Sequence, residues 1–181
     1  MADQLSAKDW LDQGLKVLAT SGFTALKAEP LARAMGVSRG SFYWHFADVG
    51  AFHAAILAHW REVAAEQIIS DVEAEAPDRN ALPALLRRVF GDRPPVLESA
   101  MRSWAAHDAA VRAAVQAVDQ RRLGYVEQLL RAAGLPAEAA RARAQILYWA
   151  FLGFALSDKA LSRPRQATLL DELLRIAGAG G

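Results

Sequence analysis

Apolar residues recur along this chain at three- and four-residue steps almost without interruption, the period of one helix face. Leu11, Leu15 and Leu18 mark the first such face. Ahead of it, Ser6-Ala7-Lys8-Asp9 is a capping-box pattern, with Asp9 standing where Glu or Gln is commoner. The pattern stops near Ser21-Gly22, and Phe23 follows as a hydrophobic plug. A short helix is expected around Glu29 to Met35, with Pro30 in its first turn, where a missing N–H costs little. Gly36 ends it in a C′-like position, and Ser38 then caps a third short helix running to about Phe46. Beyond Ala47-Asp48, Phe52, Ile56, Trp60 and Val63 predict a longer helix that ends before Pro77-Asp78-Arg79-Asn80. Gly91 to Pro95, Gly134-Leu135-Pro136 and Ser162-Arg163-Pro164 break the remainder. Between these breaks lie helical patterns near 81–90, 95–107, 109–133, 137–160 and 165–177. No alternating strand pattern of useful length exists, so the expected fold is all-α with about nine helices.

The informative stretch is Leu31 to Phe46, a short helix, a Gly-containing turn and a capped second helix. At 100° per residue, Phe42 and Phe46 share one face of that second helix and can pack on Leu31, Val37 and Leu18. The opposite arc carries Gly40, Ser41, Tyr43 and Trp44, with Arg39 and His45 on its flanks. An isolated aromatic is more often core than ligand contact. Here the inward face is already filled, so Tyr and Trp beside Arg and His point to a binding surface. Double-stranded DNA explains the set. Gly40 lets backbone N–H groups approach a phosphate or base edge, and Arg39 can pair with guanine in the major groove. Ser41, Tyr43 and His45 can hydrogen-bond phosphates, Trp44 offers an apolar face and one N–H donor, and the capping Ser38 completes the candidate DNA-binding set.

Residues 10–57, from Leu11 through Gly22-Phe23 to Gly36-Val37-Ser38-Arg39-Gly40-Ser41-Phe42-Tyr43-Trp44-His45-Phe46, resemble the tetracycline-repressor (TetR) family of bacterial transcription regulators. The remaining two thirds resemble that family in helix count and length alone. The resemblance implies a helix-turn-helix DNA-binding domain over 1–47 and a helical ligand-binding and dimerisation domain over 48–181. It also implies a homodimer on a palindromic operator, released when a small ligand enters the C-terminal domain. Two positions depart from the family pattern. Members often place Ser or Thr where Leu26 and Lys27 stand; Lys27 could still contact phosphate, but a side-chain cap is lost. Members also often carry Lys after the recognition helix, where this chain has Asp48-Val49.

Charge adds little to this reading. Over the 181 residues, 21 basic and 20 acidic side chains leave a formal net charge of +1, so DNA binding would rest on local placement of charge. Residues 1–50 carry five basic and five acidic residues, a weak electrostatic footprint for a DNA-binding domain. A hydrophobic share of 53% suffices for a real core and excludes disorder. With 0 Cys, disulfide scaffolds, thiol catalysis and Cys-ligated zinc are excluded, which fits a reducing cytoplasm. The N-terminus lacks the basic start and apolar run of a signal peptide. The longest uncharged run, Ala144 to Ser157, would span about 21 Å as a helix, short of a ~30 Å hydrocarbon core, so no membrane partner is expected.

His45, His53, His59 and His107 form no i,i+3 or i,i+4 pair, so no metal or other cofactor is expected. No catalytic elbow, phosphate loop or dinucleotide fingerprint supports an enzyme. Arg87-Arg88 and Arg121-Arg122 read as solvated helix faces, and Glu98 with Arg102 as an ordinary i,i+4 pair. In the C-terminal half, Met101, Trp104, Tyr125 and Phe151 are candidate walls for a small, mainly apolar effector; ordinary core is the bland alternative. From Ile146 to Leu156 the chain is apolar on every side of a helix, which demands burial on two sides. That places a homodimer contact on the last two helices, through Ile146, Trp149, Gly153, Leu170, Leu173 and Leu174. The competing reading is a helical protein-interaction or architectural module with weak or no specific DNA binding, prompted by the scarce basic residues.

Overall fold

A computed structural model describes residues 5–76, 81–91, 96–157 and 161–178. The described residues are helical, with no strand among them. In chain order the helices are α1 (Ala7–Ser21), α2 (Ala28–Ala34), α3 (Arg39–Tyr43), α4 (Val49–Arg61), α5 (Gln67–Glu75) and α6 (Ala81–Val89). They continue as α7 (Val96–Ala105), α8 (Ala109–Ala132), α9 (Ala137–Ala155) and α10 (Arg163–Ile176). The expected all-α fold is therefore the observed one. A 3₁₀ turn, Phe23–Ala25, follows α1, and a π-helical turn, Glu62–Glu66, joins α4 to α5. Counted as one interrupted helix, α4 and α5 bring the number in the described residues to nine.

The chain forms two compact units, residues 1–63 with 96–115, and residues 64–95 with 116–181. In the first, α1 packs on both α4 and α7. Its N-terminus is fixed as the sequence predicts: the Ser6 backbone N–H donates to Asp9 Oδ2 at 2.7 Å, and the Asp9 N–H donates back to Ser6 Oγ at 3.3 Å. Inward from α1 point Trp10, Gly14, Leu15 and Leu18, whereas Leu11 is half-buried. Gly14 is a point of close approach, since a Cβ there would lie 2.5 Å from Ile56 Cδ1 and 2.8 Å from Phe52 Cζ.

In the second unit α5, α6, α8, α9 and α10 enclose a core that includes Ile69, Leu82, Phe90, Leu130, Leu147 and Leu173. The π-turn shifts the buried face of the α4–α5 segment by one residue. Phe52, Ile56 and Trp60 are buried at four-residue steps, but the next buried position is Ala65, and Val63 is half-buried. Two arginines of α8 hold this turn. Arg121 pairs with Glu66 at 3.0 Å, and Arg122 Nε donates to the Ala64 carbonyl at 3.2 Å. The expectation of a solvated Arg121-Arg122 face is thus corrected: an irregular turn frees carbonyls, and the two guanidinium groups reach its residues.

Candidate nucleic-acid interface

The turn between α2 and α3 follows from backbone chemistry. Pro30 lies in the first turn of α2, where no intrahelical bond needs its N–H. Gly36 adopts φ 68°, a left-handed conformation that L side chains resist, and its N–H and that of Val37 close on Arg33 and Ala32 at 3.2 and 3.0 Å. Lys27 occupies the N-cap of α2 without a side-chain bond, as the sequence predicts. Ser38 occupies the N-cap of α3 in extended backbone, but its hydroxyl makes no capping bond. Regular α-helix ends at Tyr43, and the N–H groups of His45 and Phe46 continue the turn onto the Phe42 carbonyl, both at 3.1 Å.

Phe42 and Phe46 anchor α3 from below. Both are buried, with Phe42 edge-on to Trp10 at 5.4 Å and to Phe52 at 5.2 Å, and Phe46 edge-on to Phe52 at 4.9 Å. Trp10 and Phe52 are therefore part of the platform, a role the sequence reading missed for Trp10. The signal lay in the i,i+4 step from Trp10 to Gly14, a bulky and an absent side chain on one helix face. With the inner face filled, Tyr43 is 44% exposed and Trp44 87% exposed. Lys27, Ser38, Arg39 and Gly40 are exposed as well, and Ser41 and His45 are half-buried. Arg39 Nη2 donates to Tyr43 Oη at 3.1 Å, which holds the guanidinium proton more tightly than usual.

Asp48, where a basic residue was expected by resemblance, acts locally. Its carboxylate caps α4, accepting the Ala51 N–H at 2.7 Å. Two histidines of α4 reach other elements of the same unit. His53 Nε2 bonds the Leu26 carbonyl at 2.9 Å, and His59 Nε2 lies 2.6 Å from Asp12 Oδ1 on α1. Among the described residues no group of His, Asp and Glu is placed to hold a metal ion.

Of the candidate ligand residues, Met101 and Trp104 lie buried on α7 in the first unit. Trp104 is engaged by aromatic neighbours, with Phe23 stacked at 6.3 Å and His53 edge-on at 5.2 Å. Tyr125 and Phe151 belong to the second unit. Tyr125 is buried, and its hydroxyl has no hydrogen-bond partner among the described residues. Phe151 is half-buried, with the Arg122 guanidinium 5.2 Å from its ring centre. Tyr148 donates to Asp119 at 2.5 Å, and burial together with that bond pushes its phenol well above the usual range.

The candidate dimer residues separate by face. On α9, Ile146, Trp149 and Gly153 point outward, with Trp149 63% exposed, while Leu147, Tyr148 and Phe154 point into the unit's own core. On α10, Leu170 and Leu174 are half-buried and Leu173 is buried within its own unit. No helix of the described residues is long and apolar enough to cross a membrane.

Comparison with known proteins agrees with this geometry. Residues 11–48 match the family model described as bacterial regulatory proteins, tetR family. Those residues thus carry the N-terminal segment that this family model describes. Its fold is similar to a crystal structure of a TetR-family transcriptional regulator from Rhodococcus sp., at 19% identity and a TM-score of 0.68, over 95% of this chain and 96% of that one. It is similar too to a transcriptional regulator from Streptomyces coelicolor A3(2), at 20% identity and a TM-score of 0.65, over 93% of this chain and 95% of that one. A transcriptional regulator from Cytophaga hutchinsonii ATCC 33406 shares the fold at 13% identity and a TM-score of 0.58, over 94% of each chain. No curated protein sequence matches the chain.

Proposed function

We propose that this protein is a transcriptional regulator that binds double-stranded DNA through α3 and its flanks, as a homodimer on a palindromic operator. The observation that carries the reading is the contrast across α3. Phe42 is fully buried in a cage of aromatic rings, while Trp44, two residues on, is 87% exposed beside Arg39 and Tyr43. Large amphipathic side chains held outward by a rigid platform are a contact surface awaiting a partner. Lys27, Ser38, Arg39, Gly40, Ser41, Tyr43, Trp44 and His45 supply donors suited to phosphate oxygens and base edges. One five-residue helix reads few base pairs, so two copies about 34–36 Å apart on adjacent major grooves would give a site of useful length. The outward stripe of α9 supports such pairing. A small, mainly apolar effector in the C-terminal helices would release the DNA; the buried hydroxyl of Tyr125, without a hydrogen-bond partner among the described residues, favours a site there.

Selection of duplexes from a random pool, followed by gel-shift titration of the purified chain, tests the reading. Enrichment of a two-fold symmetric sequence, bound far more tightly than unrelated DNA of equal length, is expected. Failure of any sequence to enrich would sink it.

A further inference from the structure

We infer that Arg39 and Tyr43 form one preassembled clamp for a single DNA phosphate, so that Arg39 acts on the backbone and not on a guanine. The inference rests on the DNA-binding reading above and deepens it. Arg39 and Tyr43 stand four residues apart on α3, the spacing that stacks two side chains on one helix face. Two separate contacts join them. Nη2 of Arg39 donates to the phenol oxygen at 3.1 Å, and the guanidinium carbon lies 5.6 Å from the ring centre. The long arginine side chain, which would otherwise sample many rotamers, is thereby laid back along the helix.

The chemistry of the pair then selects an anion. The phenol oxygen accepts from Arg39, which leaves its own O–H to donate outward. The remaining guanidinium N–H groups also donate, and they carry the positive charge. Two donors 3.1 Å apart, one of them cationic, suit two oxygens of the same phosphate group. The nearby carboxylate of Glu29 does not neutralise them, because Arg33 pairs with it at 3.1 Å. Reading a guanine instead would require the Arg39 fork to swing out toward the O6 and N7 acceptors, breaking both contacts with Tyr43. The alternative open at the sequence level, Arg39 as a base reader, is therefore disfavoured by the geometry.

Equilibrium binding of the full chain to its selected duplex tests this, with R39A, Y43F and the double variant compared with wild type. Each protein is first shown to be folded by circular dichroism; Y43F keeps the ring that packs against Phe42 and so preserves the platform. Each single variant is expected to weaken binding by roughly 10- to 100-fold, as for loss of a hydrogen bond to a charged group. The double variant is expected to bind no more weakly than the weaker single one, because the two groups act as a unit. R39A should reduce the slope of log affinity against log salt by about one, and the ranking of single-base-pair operator variants should stay that of wild type. A flattened preference at one base pair in R39A overturns the clamp, as does wild-type affinity in Y43F. Both outcomes leave DNA binding itself intact, whereas a wild-type chain that selects no duplex removes both readings together.

Discussion

His53, on α4, donates through Nε2 to the backbone carbonyl of Leu26, 2.9 Å away. A carbonyl only accepts, so the ring proton sits on Nε2. Leu26 is buried and stands one residue ahead of Lys27, the N-cap of α2. One side chain thus ties α4 to the point where the chain enters the helix-turn-helix, and the other side of its ring packs edge-on against Trp104. In His53→Leu the carbonyl loses its donor inside the fold, and a destabilisation of about 1–3 kcal/mol is expected from urea unfolding. His53→Gln, which restores an N–H donor, should recover part of it. Equal stability of the leucine variant and wild type would show that the bond contributes nothing.

Gly14 should tolerate no side chain without loss. A methyl group there meets Ile56 Cδ1 at 2.5 Å and Phe52 Cζ at 2.8 Å. The end of Ile56 can turn aside, but Phe52 is held by Phe42 and Phe46 at ring distances of 5.2 and 4.9 Å. Overpacking of this kind costs ~1–3 kcal/mol, against the ~1 kcal/mol that alanine gains over glycine in a helix. Gly14→Ala should therefore unfold at a slightly lower temperature than wild type, and Gly14→Val at a much lower one. A rise in melting temperature for Gly14→Val would contradict the close approach of α1 and α4.

Acid should weaken the α1–α4 contact through Asp12. The Lys8 ammonium, hydrogen-bonded to it at 2.6 Å, holds the Asp12 carboxyl below the usual range, and the His59 bond acts in the same direction. A carboxylate depressed in the folded state gives its stabilisation in full above its unfolded pKa of about 3.9, and loses it as pH falls through the folded value. Asp12→Asn removes that term. The variant should be less stable than wild type at neutral pH, with the gap closing on acidification. Because the Lys8 side of the pair is exposed, added salt should shrink the gap as well. A gap that widens toward low pH would reverse the assigned sign.

What could be read from the sequence was what lies close together along it. Residues 28–46 contain both short helices, the turn glycine and most of the outward face, so local periodicity sufficed to place them. Trp10 escaped because its partner Phe42 lies 32 positions away, and a face drawn through Leu11, Leu15 and Leu18 looked complete without it. The π-turn escaped for a different reason. Its sign is a five-residue step between buried Trp60 and Ala65, and an alanine is too weak a hydrophobic mark to set against Val63, which keeps the regular period. Arg121 and Arg122 looked solvated because the groups they reach, Glu66 and Ala64, belong to that unseen irregularity. On α9 the sequence showed a surplus of apolar residues, but only the packing of Leu147, Tyr148 and Phe154 decides which of them remain outside.

That outer face makes the last prediction. Ile146, Trp149 and Gly153 follow one another at steps of three and four on α9, all exposed, and Leu156 continues the line at the helix end. Leu169 and Ile176 are exposed on α10. A run of large apolar side chains in water is unfavourable at roughly 25 cal/mol per Å² of apolar surface, and burial against a second copy removes the penalty. At Gly153 a Cβ would meet nothing within 4 Å among the described residues beyond the helix's own backbone, which leaves room for a partner helix to approach. The choice of variant matters. Phe151 sits against Phe90 and Tyr148, at 6.4 and 6.0 Å between rings, so a charge there would damage the chain's own core and report on folding. Trp149→Glu places the charge on the exposed face, where the isolated chain should accept it. Wild type is expected to have twice the chain mass by light scattering at micromolar concentration, and Trp149→Glu the mass of one chain with an unchanged circular dichroism spectrum. On the selected operator, the same variant should lose affinity by at least an order of magnitude, since each half-site is then bound by a separate molecule. Wild-type mass equal to a single chain would remove the stripe as a pairing surface, and tight operator binding by monomeric Trp149→Glu would detach DNA recognition from dimerisation.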